Sequence, residues 1–181
     1  FMPYFWYFII YGFLGYLLEK IFARVTRSAH QVRKGFLLAP VCPVYGLAMC
    51  AVLALGAERI GSFWELMLLG GVTATAVEYA VHWAYDTALG VRFWDYSPTK
   101  MDVNGRICLP FSVAWGVLSA LAVRYVQPAA ASLAAAVPFA VTNTVLLCLA
   151  ADALYSVGVL LRWGDIELLA PCALRNRLRT V

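Results

Sequence analysis

Ionisable side chains recur along one stripe of a long apolar stretch near the middle of the chain. Gly71, Thr75, Glu78, His82 and Asp86 follow one another at steps of three or four residues, the spacing that places side chains on one face of an α-helix. Two carboxyl groups and an imidazole on one face could form a path for protons or ions, bind a metal ion, or clamp neighbouring helices through hydrogen bonds. A charged group at mid-bilayer costs roughly 2.5–3.5 kcal/mol on insertion scales, so we expect this face to point into a helix bundle.

A second concentration of polar groups, the 92–107 loop, lies between two apolar runs. It combines acids, bases, amides and aromatic rings in a chain that is otherwise poor in polar groups. The side chains that could bind a ligand there are Trp94, Asp95, Tyr96, Asn104 and Arg106. For Trp94, Asp95 and Tyr96, anchoring at the membrane interface is an equally good interpretation, because aromatic residues settle at headgroup depth whatever the function.

The fourth apolar run begins directly after this loop. The positive end of a helix formed by that run would point towards residues 104–106, and such an end is a natural place for an anion or a carboxylate. Asp95 or Asp86 could occupy it, and we predict in particular an Asp95–Arg106 ion pair that closes the loop over the bundle. Trp115, on the small and polar side of the same predicted helix, joins the candidate site.

A third candidate carboxylate lies on the first apolar run. Gly12, Gly15 and Glu19 fall on one face of a predicted helix, where the two glycines would let a neighbouring backbone come close. We therefore expect Glu19 to be shielded from lipid and to face Glu78 of the third run, with the 92–107 loop above them.

The composition indicates an integral membrane protein. Hydrophobic residues make up 63% of the chain and charged residues 13%, compared with roughly 45–50% and 25% in soluble domains. The formal net charge of +4 comes from basic residues at the ends of apolar runs, which suits anionic lipid headgroups better than nucleic acid. The five cysteines form no C-x-x-C pair, so we expect structural thiols, no disulfide framework, no metal and no cofactor.

The lengths of the apolar runs predict the architecture. A bilayer core about 30 Å thick requires about 20 apolar residues for each helix. Five segments qualify, at residues 4–24, 41–58, 65–89, 108–126 and 131–161. They predict an all-α, polytopic membrane helix bundle in a single transmembrane domain, residues 1–181. The second helix should begin near Pro43 after irregular chain at 37–39, or else at Pro40.

The basic residues predict the orientation. They concentrate in the first and third connections and in the C-terminal tail, whereas Arg59 and Arg124 lie on the other side of the predicted bundle. The positive-inside rule places the N-terminus outside and the C-terminus in the cytoplasm. On the fifth run, Asn143 and Asp152 are nine residues apart and should lie on opposite faces.

With these motifs in order, the chain resembles the ABC-transporter type IV family, a set of small bacterial permease-like membrane proteins, over residues 11–116. The resemblance rests on the segments 11–19, 34–46, 93–97 and 104–109 and on the pairs Glu78–Tyr79 and Trp115–Gly116. It implies a transporter permease in the bacterial cytoplasmic membrane.

Three classes of function follow. The first is a permease-like subunit that moves a small solute or ion along a path lined by Glu19, Glu78 and the 92–107 loop. The second is an accessory or assembly subunit of a membrane complex. The third is a membrane-embedded enzyme acting on a lipid-linked substrate, with Glu78, His82 or Asp95 as general base.

The absence of known catalytic motifs favours transport over catalysis. The sequence contains no nucleophile elbow, zinc motif or G-x-x-x-x-G-K-[ST] phosphate-binding loop. We therefore rank transport first, the accessory role second and the enzyme third. Any ATP hydrolysis would need a separate ATPase subunit, and a homodimer would enlarge an otherwise small bundle.

Overall fold

Helices joined by short connections make up nearly all of the computed structural model, which describes residues 2–26 and 35–169. The helices are α1 (Met2–Val25), α2 (Pro43–Ala54), α3 (Phe63–Ala84), α4 (Leu109–Leu121), α5 (Gln127–Ala136) and α6 (Phe139–Trp163). Two π-helical segments, Tyr85–Leu89 and Ala122–Val126, extend α3 and join α4 to α5. Short 3-10 turns lie at Ala57–Arg59 and Ile166–Leu169. The predicted all-α class is confirmed.

The boundary between the fourth and fifth predicted helices is wrong. α4 and α5 form one continuous helix of 28 residues, Leu109–Ala136, and the chain breaks at Val137–Pro138 instead of near residues 127–130. Arg124, Gln127 and Pro128 resemble a loop in the sequence, but Pro128 follows the π-helical segment Ala122–Val126, whose wider turn interrupts the regular α-helical hydrogen-bond pattern before the proline. Val137 is extended, as expected before a proline.

Within residues 2–26 and 35–169, two helices are long and apolar enough to cross a membrane. They are Leu109–Ala136 and Phe139–Trp163, with mean hydropathies of 1.5 and 2.0. By contrast, α2 has 12 residues and is about 18 Å long, so it is shorter than a bilayer core of about 30 Å. Any crossing by the second segment must therefore include the irregular chain before it.

That irregular chain, residues 35–42, is held by α6. Helix α2 begins at Pro43, as predicted. The Asp152 carboxylate accepts hydrogen bonds from the backbone N–H groups of Leu38 at 2.9 Å and Ala39 at 2.8 Å. Irregular backbone at membrane depth is tolerated where it packs against protein in this way. Asn143 is exposed on the other side of α6, in agreement with the predicted opposite faces.

Glycines set the close approach of α1 to α2. A Cβ atom added to Gly12 would lie 2.5 Å from Val41 Cγ1, and one added to Gly15 would collide with the Tyr45 ring. The helices therefore pack with their backbones close together, as the small face of the first run predicts. This packing brings Tyr45 of α2 beside Glu19, one turn further along α1.

The core runs along the middle of the bundle, between α1, α2, α3 and the long α4–α5 helix. Its fully buried apolar side chains include Tyr11, Met49, Val52, Leu66, Ala120 and Ala130. The most extensive helix pair is α3 with α4, and Gly116 of α4 lies against the Met67 backbone of α3.

The 92–107 loop contains a small hairpin that the sequence analysis did not predict. Strand β1 (Asp102–Val103) pairs antiparallel with β2 (Ile107–Cys108). Asn104 and Gly105 between them have φ values of 55° and 67°, and the Asn-Gly pair favours such left-handed turns. Because β2 runs directly into α4, the hairpin fixes Arg106 beside the end of α3.

Candidate functional site

The Glu78 carboxylate is buried and bonded on both oxygens. Glu78 as a whole is 4% exposed. Tyr96 Oη donates to Oε1 at 2.9 Å, and Trp115 Nε1 donates to Oε2 at 3.0 Å. Hydrogen bonds to an ionised carboxylate are stronger than hydrogen bonds between two neutral groups. Glu78 of α3 therefore ties the 92–107 loop to α4 at one buried point.

Glu19 reaches the same region from α1. Tyr45 Oη donates to Glu19 Oε1 at 2.8 Å, and the ring centroids of Tyr45 and Trp115 are 4.6 Å apart. One carboxylate is thus bonded to each member of this aromatic pair. The structure brings Glu19 and Glu78 to a shared aromatic cluster, which we call the Tyr45–Trp115 pair.

Asp86 joins two arginines at the end of α3. Arg92 donates to Asp86 from Nε and Nη2 at 3.1 and 3.2 Å, and Arg106 Nη2 donates to Oδ2 at 3.0 Å. Arg106 Nη1 also donates to Tyr79 Oη at 3.1 Å, as does Asn104 Nδ2 at 3.2 Å. Hydrogen bonding to Asp86, and then to Tyr79, raises the pKa of Arg106. The guanidinium therefore stays charged.

The predicted Asp95–Arg106 ion pair is wrong. Arg106 pairs with Asp86, the other acid that the sequence offered. Asp95 Oδ1 instead accepts from Ser97 Oγ at 2.6 Å and from Ser97 N at 2.9 Å. These bonds lower the pKa of Asp95. The Asp95 carboxylate is hydrogen-bonded within its own turn, while the β1–β2 hairpin directs the Arg106 side chain towards α3.

His82 and Trp94 fix the start of the loop. His82 is 2% exposed, and its Nε2 lies 3.0 Å from the Trp94 carbonyl oxygen, so Nε2 must carry the donated proton. Nδ1 is buried and has no hydrogen-bond partner among the described residues. Trp94 Nε1 donates in turn to the Arg106 carbonyl oxygen at 3.0 Å. His82 therefore holds the beginning of the 92–107 loop against α3 through its hydrogen bond to Trp94.

The ten candidate residues lie in connected clusters around the 92–107 loop. The three ionisable side chains of the stripe on α3 contact different partners. Glu78 contacts Tyr96 and Trp115, His82 contacts Trp94, and Asp86 contacts the two arginines. Sequence analysis missed Tyr45 and Tyr79. Both are aromatic residues in apolar runs, and only their hydroxyl partners distinguish them from core side chains.

A second polar cluster at Gln127 was also missed. Gln127 is 2% exposed; its Oε1 accepts from Tyr11 Oη at 2.8 Å, and its Nε2 donates to Glu58 Oε1 at 2.9 Å. The spacing gave no clear signal, because twelve residues separate Trp115 from Gln127 and would place them about 120° apart on a regular α-helix. The π-helical segment Ala122–Val126 lies between them and interrupts that regular spacing. Ser119 is 1% exposed, and its Oγ has no hydrogen-bond partner among the described residues.

The helical bundle and the two strongly apolar helices among the described residues indicate a membrane protein. The family described as "Putative ABC-transporter type IV" matches residues 6–157, and the chain belongs to that family. Membership confirms the resemblance and associates the protein with membrane transport and with membrane-complex partners in general. No curated protein matches the chain. No solved structure matches it either.

Proposed function

We propose that the protein is a permease-like subunit that moves a small solute or ion across the cytoplasmic membrane. In this proposal the path is lined by Glu19 and Glu78 and closed by the 92–107 loop. The observation that carries it is the Glu78 carboxylate, which is 4% exposed within a predominantly apolar bundle. Intramembrane acids are costly, and they commonly mark ion or substrate paths.

The buried face of the long α4–α5 helix supports a continuation of this path. Trp115 contacts Glu78 at one end, and Gln127 contacts Glu58 at the other. Between them Ser119 carries a buried hydroxyl without a partner among the described residues. Buried polar groups are normally hydrogen-bonded, so this hydroxyl could bond to a species passing along the face. The π-helical segment Ala122–Val126 lies between Ser119 and Gln127, and such segments are frequent at functional sites.

The 92–107 loop acts as a latch in this proposal. Tyr96 donates to Glu78, so the loop can lift from the bundle only when that hydrogen bond breaks. Protonation of Glu78 removes the charge that strengthens the bond and would loosen the latch. In this movement the Asp86–Arg106 and His82–Trp94 contacts stay in place, and the part of the loop that carries Tyr96 moves away from Glu78.

The proposal includes five spans in a single transmembrane domain, with the N-terminus outside and the C-terminus in the cytoplasm. Arg92, Lys100 and Arg106 would place the 92–107 loop at the cytoplasmic surface. Most other basic residues of that side fall in segments 27–34 and 170–181, outside the described residues.

Partners are also part of the proposal. An ATPase would be a separate chain, since the sequence carries no phosphate-binding loop of its own. A homodimer could form through the outer face of α6, where Leu147 and Leu154 are 70% and 74% exposed.

Ion flux into proteoliposomes tests the proposal. The full chain is reconstituted, and influx of H⁺, Na⁺ and K⁺ is followed with entrapped indicators. We expect Glu78→Gln to reduce the flux of at least one of these ions by about tenfold or more, because about 1.4 kcal/mol of lost stabilisation along the path is sufficient. Glu65→Gln is the matched control, since Glu65 is an exposed acid on the same helix. Equal flux in both variants, or no flux above empty liposomes, would contradict the proposal.

A further inference from the structure

A laterally open groove runs between α3 and α4, away from the Glu78 cluster. Its volume is about 630 Å³, within the roughly 300–1,000 Å³ of ligand pockets, which are lined mainly by apolar side chains with a few polar groups. Leu68 and Val72 form one wall and Val113 the other, and Gly71 and Gly116 form the floor. Because the floor consists of two glycines, the groove is a depression between backbones that side chains do not fill.

The polar end of the groove is formed by Tyr79. Its hydroxyl oxygen accepts hydrogen bonds from Asn104 and Arg106, and its own proton has no acceptor among the described residues. Arg106 has five N–H groups, of which the described contacts use two. Tyr79 lines this end of the groove, and donor groups of Asn104 and Arg106 lie within hydrogen-bond distance of its hydroxyl oxygen. This arrangement suits a group composed only of acceptors.

The charges at this end favour an anion. Arg92 and Arg106 share the single carboxylate of Asp86. The loop also contains Lys100, and its acids Asp95 and Asp102 accept hydrogen bonds from Ser97 and Gly105 within their own turns. The N-terminus of α4, with its positive dipole end, follows two residues after Ile107, which lines the groove.

The dimensions of the groove fit one leaflet of a bilayer. Leu68 and Tyr79 are eleven residues apart on α3, a rise of about 16 Å at 1.5 Å per residue. Half of a hydrocarbon core of about 30 Å is about 15 Å. An acyl chain that follows the groove from Leu68 would therefore bring its polar head to Tyr79.

Thr75 supplies a further donor at the expected depth. Its Oγ1 is buried and without a partner among the described residues, and the residue lines the groove one helical turn below Tyr79. In a diacyl phospholipid the ester carbonyls lie just below the phosphate. A chain bound in the groove would thus offer an acceptor near Thr75.

We propose that this groove is a binding site for an anionic membrane phospholipid. One acyl chain lies along the groove between α3 and α4, and the phosphate accepts hydrogen bonds from Tyr79, Arg106 and Asn104. The site is separate from the proposed path, because the Glu78 cluster does not line it. It therefore stands whether or not the protein transports an ion.

Lipid binding by the purified full chain tests the site. Phosphatidylglycerol is titrated into the delipidated protein in detergent, and bound lipid is measured by native mass spectrometry. We expect Val72→Trp, which fills the groove, and Tyr79→Phe, which removes a donor to the phosphate, each to weaken binding by about tenfold. Leu133→Trp and Tyr125→Phe are matched controls on exposed residues outside the groove, and they should bind phosphatidylglycerol within about twofold of the wild type.

Diacylglycerol, which lacks the phosphate, tests the contacts to the phosphate separately from the binding of the acyl chain in the groove. It should bind the wild type about tenfold more weakly than phosphatidylglycerol, and the Tyr79→Phe change should have no further effect on it. If Val72→Trp does not fold, Val113→Trp fills the groove from the opposite wall. Unchanged phosphatidylglycerol binding in the groove-filling variant, or equal binding of the two lipids by the wild type, would overturn the assignment.

Discussion

The long α4–α5 helix carries a buried polar cluster near each end, and the two clusters differ in which group is buried. At the Trp115 end, the carboxylate of Glu78 is buried and its hydrogen-bond donors are neutral. At the Gln127 end, the buried group is a neutral amide, and the carboxylate that it contacts, Glu58, is exposed. Among the described residues, the acidic and basic side chains that are buried, Glu78 and His82, both contact the 92–107 loop.

The largest expected effect separates the two carboxylates. Glu78→Ala removes the acceptor that the Tyr96 hydroxyl and the Trp115 indole N–H share, at about 1–3 kcal/mol for each buried hydrogen bond. We therefore expect a loss of about 2–6 kcal/mol in the free energy of unfolding in detergent. Glu58→Ala should lose about 1 kcal/mol, since water can replace the exposed carboxylate. Similar losses in both variants would remove the distinction between the two ends.

An intermediate effect is expected at the amide cluster. Gln127→Leu leaves the Tyr11 hydroxyl without an acceptor and should destabilise the protein by about 1–3 kcal/mol. In the double variant with Tyr11→Phe, part of this loss should be recovered, with a coupling of at least about 0.5 kcal/mol. Thermal unfolding of the four proteins of the cycle measures the coupling. Strictly additive losses would mean that the Tyr11–Gln127 hydrogen bond contributes nothing.

A smaller effect is expected at the ion pair. The side chains of Arg106 and Asp86 are 17% and 21% exposed, so water partly screens the pair and its contribution to the free energy of unfolding should be small. Asp86→Asn combined with Arg106→Gln should be less destabilising than the sum of the single changes. Asp95→Asn combined with Arg106→Gln should be additive within about 0.5 kcal/mol. Coupling in the Asp95 cycle and none in the Asp86 cycle would restore the pair that the sequence predicted.

The smallest effect concerns pH. Because the hydrogen bonds from Ser97 lower the pKa of Asp95, the ionised side chain stabilises the fold above the ordinary aspartate pKa of about 3.9. This contribution is lost as the pH falls through the lowered pKa. Ser97→Ala should weaken the acid-induced fall in stability, as followed by unfolding at successive pH values. An identical pH profile in the variant would show that Ser97 does not hold the carboxylate.

The sequence predicted those parts of the fold that depend on local spacing. Glu78 and His82, one helical turn apart, are both buried, and Pro43 begins α2. Gly12 and Gly15 bring α1 against α2. In each case the decisive property, a helical face or a proline without an N–H, belongs to the residue itself and does not depend on distant partners.

The sequence failed where the outcome depends on partners from elsewhere in the chain. Gln127 followed by Pro128 resembles a loop in the sequence. In the structure the Gln127 amide is hydrogen-bonded to Tyr11 and Glu58, and the helix continues. The sequence offers both Asp86 and Asp95 as partners for Arg106, and only the hairpin at Asn104–Gly105 decides in favour of Asp86. The Asn104–Gly105 pair is the sequence signal for that hairpin.

The central claim is that the Glu78 carboxylate is held beneath the 92–107 loop by Tyr96 and Trp115. The ¹H–¹⁵N resonance of the Trp115 indole, assigned by its loss in Trp115→Phe, tests this most directly. A hydrogen bond to the carboxylate predicts a downfield indole proton that shifts upfield in Glu78→Gln and stays in place in Glu58→Gln. An indole resonance that is unchanged by Glu78→Gln would contradict the account.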